Sequence, residues 1–144
     1  AWIMRDDVVA IEQLLNRYCH LVDRGDIEGV IALFTDDAVL APTYEGAGRH
    51  VGRAAIRAWY TRYAATTIAV ARGLRHKIST AVIDVTGDGA DAVCYLDADS
   101  VSRANGRRSL VGGRYEDRLV RTEAGWRFAE RRIVIDYATT LPGA

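Results

Sequence analysis

The sequence predicts an α+β fold: N-terminal helices packed on one face of a strongly curved, mainly antiparallel sheet, which together make a cone-shaped α+β barrel around a cavity. Two observations predict it. Apolar residues recur at helical three-and-four spacing in the first part of the chain, and from Leu74 onward they alternate as strands do, with glycine-containing turns between. With no internal repeat, low-complexity tract or linker, all 144 residues are read as one domain large enough to bury a core.

Val8, Ile11, Leu14, Leu15, Tyr18 and Val22 form one apolar stripe, so the spacing predicts a helix over Asp6 to Val22, with Asp6 and Asp7 at its positive N-terminal end. "DRGD" ends it. Gly25 suits a C-terminal cap, and Asp26 suits the N-cap of a second short helix, "IEGVIALF". After "TDD", the stretch "AVLAPTYEGAGRHVG" reads as a short strand and a glycine-rich loop, and "RAAIRAWYTRYAA" returns to helical spacing through Ile56, Trp59, Tyr60 and Tyr63. Strands are predicted over 74–85, 90–102, 108–121 and 126–138, joined by "TGDG", "ANGR" and "TEAG", with Asn105-Gly106 the strongest hairpin signal. Met4 is the only methionine, and Ala1 to Ile3 are expected to be foreign to the fold.

The 19 basic and 19 acidic residues cancel, and the basic runs noted are pairs such as Arg107-Arg108 and Arg131-Arg132, so no nucleic-acid footprint is present. No leader-like segment and no apolar run of about 18 residues is seen. A cytoplasmic protein that does not engage membranes is therefore expected. Cys19 and Cys94 lack a CxxC or His-paired spacing and are expected to be buried free thiols. The three histidines have no Glu-x-x-His or His-x-His spacing, and the glycine-rich stretches carry neither GxGxxG nor a P-loop lysine, so no metal and no cofactor are expected.

In "GLRHKISTAVIDV", alternation places Leu74, His76 and Ile78 on one face and Arg75, Lys77 and Ser79 on the other. His76 thus points with the apolar residues, and an imidazole so placed needs a partner for its ring nitrogens. Asp23 is one candidate. It closes the first helix, where its charge meets the negative end of the macrodipole at a cost of about 0.3–1 kcal/mol. Solvation, an arginine or the second ring nitrogen of a histidine would each offset that.

The spacing Tyr18 to Asp23 in "RYCHLVDRGD", the histidine in "LRHKIS" and the ending "GRYEDRLVRTEAGWRFAERRIVIDYAT" resemble the SnoaL-like group of the nuclear-transport-factor-2-like superfamily. Within it, the pattern is most similar to the hexachlorocyclohexane dehydrochlorinase, scytalone dehydratase and bile acid 7α-dehydratase branch. The resemblance implies that His76 is the catalytic base, that Asp23 orients and charges it, that Tyr18 contributes, and that Arg131 assists the leaving group. Asp23 would then accept the ring N–H, fix the tautomer and stabilise the imidazolium. It also implies a homo-oligomer, a trimer in the closest branch and dimers elsewhere. The chain departs from these relatives in lacking a second strand histidine in "CYLDADSVS" and a lysine in the first helix, and it shows no Asp-Arg-Asp set of the limonene-epoxide-hydrolase kind.

Tyr44, Trp59 and Tyr63, with Leu96 and Ile133, are the expected substrate-binding residues of an apolar cavity. Alternation gives Arg131 a face shared with Ile133, Ile135 and Tyr137, opposite Trp126 and Phe128, which are assigned to the core; an ion pair with an acidic neighbour is the plainer fate of this arginine. Tyr115, Glu116 and Asp117 read as a solvated or subunit-facing edge, His20 as surface and His50 as loop. The function expected is a cofactor-independent lyase, a dehydratase or dehydrohalogenase acting on a small apolar cyclic molecule. An isomerase or polyketide-type cyclase using the same dyad is the second reading, and a non-catalytic ligand-binding or assembly module the third.

Overall fold

The computed structural model describes the backbone of residues 2–142 and the side chains from Arg5 onward. Helix α1 spans Trp2–Asp23, so Trp2 and Ile3, set aside on sequence, lie in its first turn, while Ala1 falls outside the described residues. Ile11, Leu14, Leu15, Tyr18, Leu21 and Val22 form its buried stripe, and the helix packs across strands β3 (Ala71–Thr86) and β6 (Gly125–Leu141). Because α1 begins before Asp7, that carboxylate sits in the second turn rather than at the helix start. It is buried, accepting from Arg121 Nη2 at 2.7 Å and Trp126 Nε1 at 3.2 Å.

The "DRGD" turn forms as expected: Gly25 takes φ +71°, and the Asp26 side chain caps α2 (Ile27–Ile31) by accepting the Gly29 N–H at 2.9 Å. Helix α2 is shorter than the sequence suggests. Phe34 already begins strand β1 (Phe34–Pro42), which carries "TDD" as an irregular stretch: Phe34 pairs with Phe128, yet Val39 pairs with Glu130. A two-residue strand β2 (His50–Val51) pairs with β1, so His50 is a strand residue rather than a loop one. Helix α3 (Arg53–Tyr63) widens at its end into one π-turn over Ala64–Ile68.

Strands β4 (Gly89–Ser102) and β5 (Arg108–Thr122) complete a six-stranded sheet of order β2-β1-β6-β5-β4-β3, in which only β1 and β6 run parallel. The sheet curls round α1 without closing, and β3 is one free edge. Two bulges in β6 control which side chains face inward. Opposite Arg118-Leu119 the extra residue is Ala129, and opposite Gly112-Gly113 it is Asp136. Each extra residue reverses the alternation. Phe128 therefore shares the inner face with Arg131 instead of opposing it, and Tyr137, 56% exposed, turns to the outer face, away from Ile133 and Ile135.

Candidate active site

Between α1, α3, the π-turn and the concave face of β3 to β6 lies a cavity of about 590 Å³. Its wall is chiefly apolar, from Val22, Leu74, Leu96, Ile133 and Ile135, with polar atoms confined to a few places. All five residues expected to bind substrate are in that wall. Trp59 is buried and Tyr63 half-buried, while Tyr44 is 54% exposed. Sequence reasoning missed Tyr60 and Tyr115 as wall residues, together with Thr66, Thr67, Ser100, Ser102 and Ser109.

His76 reaches the cavity by the alternation of β3, where Leu74, His76 and Ile78 are half-buried and Arg75, Lys77 and Ser79 exposed. Its ring Nδ1 lies 2.6 Å from Asp23 Oδ1, and its backbone N–H donates to both oxygens of the same carboxylate at 3.1 Å. The cause is the sheet edge. Among the described residues no strand pairs with β3 on its far side, and the carboxylate at the end of α1 meets that edge. One interaction thus ties helix to strand and orients the imidazole. A carboxylate accepts only, so Nδ1 carries a hydrogen, and in the neutral imidazole the lone pair is then on Nε2. Tyr63 Oη stands 3.3 Å from that Nε2.

Tyr18 and Tyr60 bring their hydroxyls together on the cavity wall, hydrogen-bonded to one another. Burial pushes both phenols up, with the nearby Arg131 guanidinium opposing the rise. Arg131 is fully buried and does not line the cavity. Its Nε and Nη2 donate to Asp117 at 2.8 and 2.9 Å, and its Cζ sits 3.8 Å from the Tyr115 ring centroid, 4.1 Å from Tyr18 and 4.3 Å from Phe128. This corrects the expectation of an arginine beside the leaving group. A guanidinium this deep in the core is held by a paired carboxylate and aromatic faces, and it reaches the cavity only through the Tyr18 and Tyr115 rings. Asp117 and Tyr115 are accordingly buried core residues, not an exposed edge.

Cys19 and Cys94 are buried free thiols, and burial raises each to about 11. His20 is exposed, and His50 is half-buried against Glu45 at 3.2 Å. Among the described residues no three metal-ligating side chains converge, and no helix is long and apolar enough to cross a membrane.

The family description "SnoaL-like domain" matches residues 4–132. No curated protein matches the chain by sequence. Among solved structures, a candidate aromatic ring hydroxylase from Novosphingobium aromaticivorans is 29% identical, with 94% of each chain covered and a TM-score of 0.81. An NTF2-like protein with a cystatin-like fold from the same organism is also 29% identical, with 94% of this chain and 85% of that one covered and a TM-score of 0.75. A type 2 hexachlorocyclohexane dehydrochlorinase, 17% identical over 98% of this chain and 93% of that one with a TM-score of 0.79, shares the fold. With residues 4–132 matched and the same curled sheet in these neighbours, the chain belongs to the SnoaL-like family of the NTF2-like superfamily.

Proposed function

We propose that this protein is a cofactor-independent lyase in which His76 removes a proton from a carbon of a small, largely apolar cyclic substrate. The observation that carries this is the 2.6 Å contact of His76 Nδ1 with Asp23 in an imidazole that lines the cavity. Asp23 fixes the tautomer and balances the imidazolium formed when Nε2 takes the proton. The chiefly apolar wall lowers the dielectric around the intermediate and so strengthens these interactions. The Tyr18–Tyr60 pair has one hydroxyl hydrogen left over from its mutual bond to offer to a substrate oxygen on which negative charge builds, with the Arg131 charge behind the Tyr18 ring adding a fixed favourable field. Elimination of a β-hydroxyl or β-halide asks for one well-placed base and little else, and the family's dehydrochlorinase neighbour and ring-hydroxylase relative are both in keeping with a ring-shaped substrate.

Incubation with cyclic ketones bearing a β-hydroxyl or β-chloro group tests this, read by the absorbance of the conjugated product. The parent protein is expected to raise the rate above buffer, and His76→Ala to lower turnover by at least about tenfold. A smaller loss sinks the proposal. Rearranged or cyclised products in place of eliminated ones would move the reaction to the isomerase or cyclase reading. Undiminished function after joint replacement of His76 and Asp23 would make the protein a binding module. The reading includes a homo-oligomer, a trimer by preference over a dimer.

A further inference from the structure

The second ring nitrogen of His76 already has a neighbour. Because Asp23 holds the hydrogen on Nδ1, the Tyr63 hydroxyl at 3.3 Å is the donor to Nε2. This phenol is firmly placed. Its ring stacks on Trp59 at 5.6 Å between centroids and 6° between planes, and Trp59 is itself anchored by its Nε1–H to Glu45 Oε1 at 2.7 Å. Tyr63 is the last residue of α3, immediately before the π-turn that carries Thr66 and Thr67 into the cavity wall, and such turns concentrate at functional sites.

We propose that Tyr63 is the proton relay of this site, handing the proton that His76 takes from carbon on to a departing hydroxyl, so that the reaction served is loss of water from adjacent carbons. The proposal rests on the base reading above and deepens it. As the C–H bond breaks, its electron pair becomes the new C=C bond and its proton goes to Nε2. The neighbouring C–O bond breaks with its pair on oxygen. With substrate bound, the Tyr63 O–H turns from Nε2 to the substrate hydroxyl and frees the lone pair; the departing oxygen takes the phenolic proton, and the phenolic oxygen takes the proton from Nε2. The products are an alkene and one water, and both side chains return to their starting state without any further reactant.

Two features favour a relay over a free-standing acid or a mere cap. Burial holds the Tyr63 phenol well above its usual range, so no standing phenolate forms and its proton leaves only as another arrives. Base and relay are also 3.3 Å apart on one wall, so hydrogen and hydroxyl leave from the same face of the substrate. A halide departs without a proton and leaves Tyr63 idle.

The probes are 3-hydroxy-5-phenylcyclohexanone and its 3-chloro counterpart, turned over by the parent and by Tyr63→Phe, which keeps the ring stack. The expected result is a loss of about 100-fold or more in kcat on the hydroxy ketone. The loss in kcat on the chloro ketone should be at least about tenfold smaller than that on the hydroxy ketone, and α-deuterium exchange into the hydroxy ketone should stay above the buffer rate, since His76 still abstracts. Undiminished elimination of water by Tyr63→Phe, or an equal loss on both probes, overturns the relay while leaving the base in place. Absence of both exchange and elimination in the parent overturns the base and the relay together.

Discussion

At the scale of single residues, the account turns on which nitrogen of His76 carries the hydrogen. Asp23 settles that by accepting from Nδ1 while also receiving the His76 backbone N–H. Asp23→Asn can still accept the backbone N–H through its amide oxygen, yet its amide nitrogen then donates toward Nδ1 and moves the ring hydrogen to Nε2. The base loses its lone pair in the cavity. The expected outcome is a fall of about 10²–10⁴-fold in kcat with a change of only a few degrees in the thermal midpoint, measured on the same protein sample. His76 was legible in the sequence because no bulge interrupts β3 between Arg75 and Ser79, so simple alternation gave its face. Asp23 was legible through the family resemblance and its unfavourable helix position. The Tyr63 hydroxyl was not, because no local pattern states how close the end of α3 comes to β3.

At the scale of elements, the sheet keeps its inner face by means of bulges. Gly113 sits opposite the extra residue Asp136, and a Cβ there would lie 2.0 Å from the Val134 carbonyl oxygen, which is backbone and cannot yield. A Cβ on Gly112 would instead meet the far end of the exposed Tyr137 side chain at 2.3 Å. Gly113→Ala is therefore expected to cost about 1–3 kcal/mol in urea unfolding, and Gly112→Ala clearly less. Equal costs would contradict this reading of the bulge. The same bulges explain where the sequence misled: Arg131 and Phe128 were separated by face, and Tyr137 grouped with Ile133, because strict alternation cannot show an inserted Ala129 or Asp136. The Asp117 to Arg131 pair is a cross-strand partnership that only the register reveals. A second consequence concerns Asp7, which pins α1 to the β5–β6 hairpin. Its bond to Arg121, reinforced by Trp126, holds the carboxyl below its ordinary value despite some opposing desolvation. In the window between that depressed folded value and the unfolded value of about 3.9, the unfolded chain binds more protons, so stability rises with pH there. Asp7 thus adds stability above the unfolded value that is lost as pH falls through the folded one. Urea midpoints taken across this acidic range should show a shallower slope for Asp7→Asn.

At the scale of the whole molecule, helices first and a meander after were legible as an α+β fold, since helical and strand periodicities seldom mimic one another over such lengths. The cavity volume and the inward turn of Tyr60 and Tyr115 depend on how α1 and α3 settle in the curled sheet, which periodicity does not encode. The outer face exposes Tyr95, Tyr137 and Val82, and the proposed assembly would bury such apolar side chains. Light scattering on the eluting protein is expected to give three chain masses, with a single chain mass contradicting assembly. The central claim is that His76 is a carbon-directed base, and its most direct test is deuterium uptake from D₂O at the α-carbon of small cyclic ketones, followed by NMR. The account predicts uptake well above the buffer rate for the parent protein and a loss of about 100-fold or more in His76→Ala. Uptake no faster than buffer across the ketones, or a His76→Ala protein within tenfold of the parent, would contradict it.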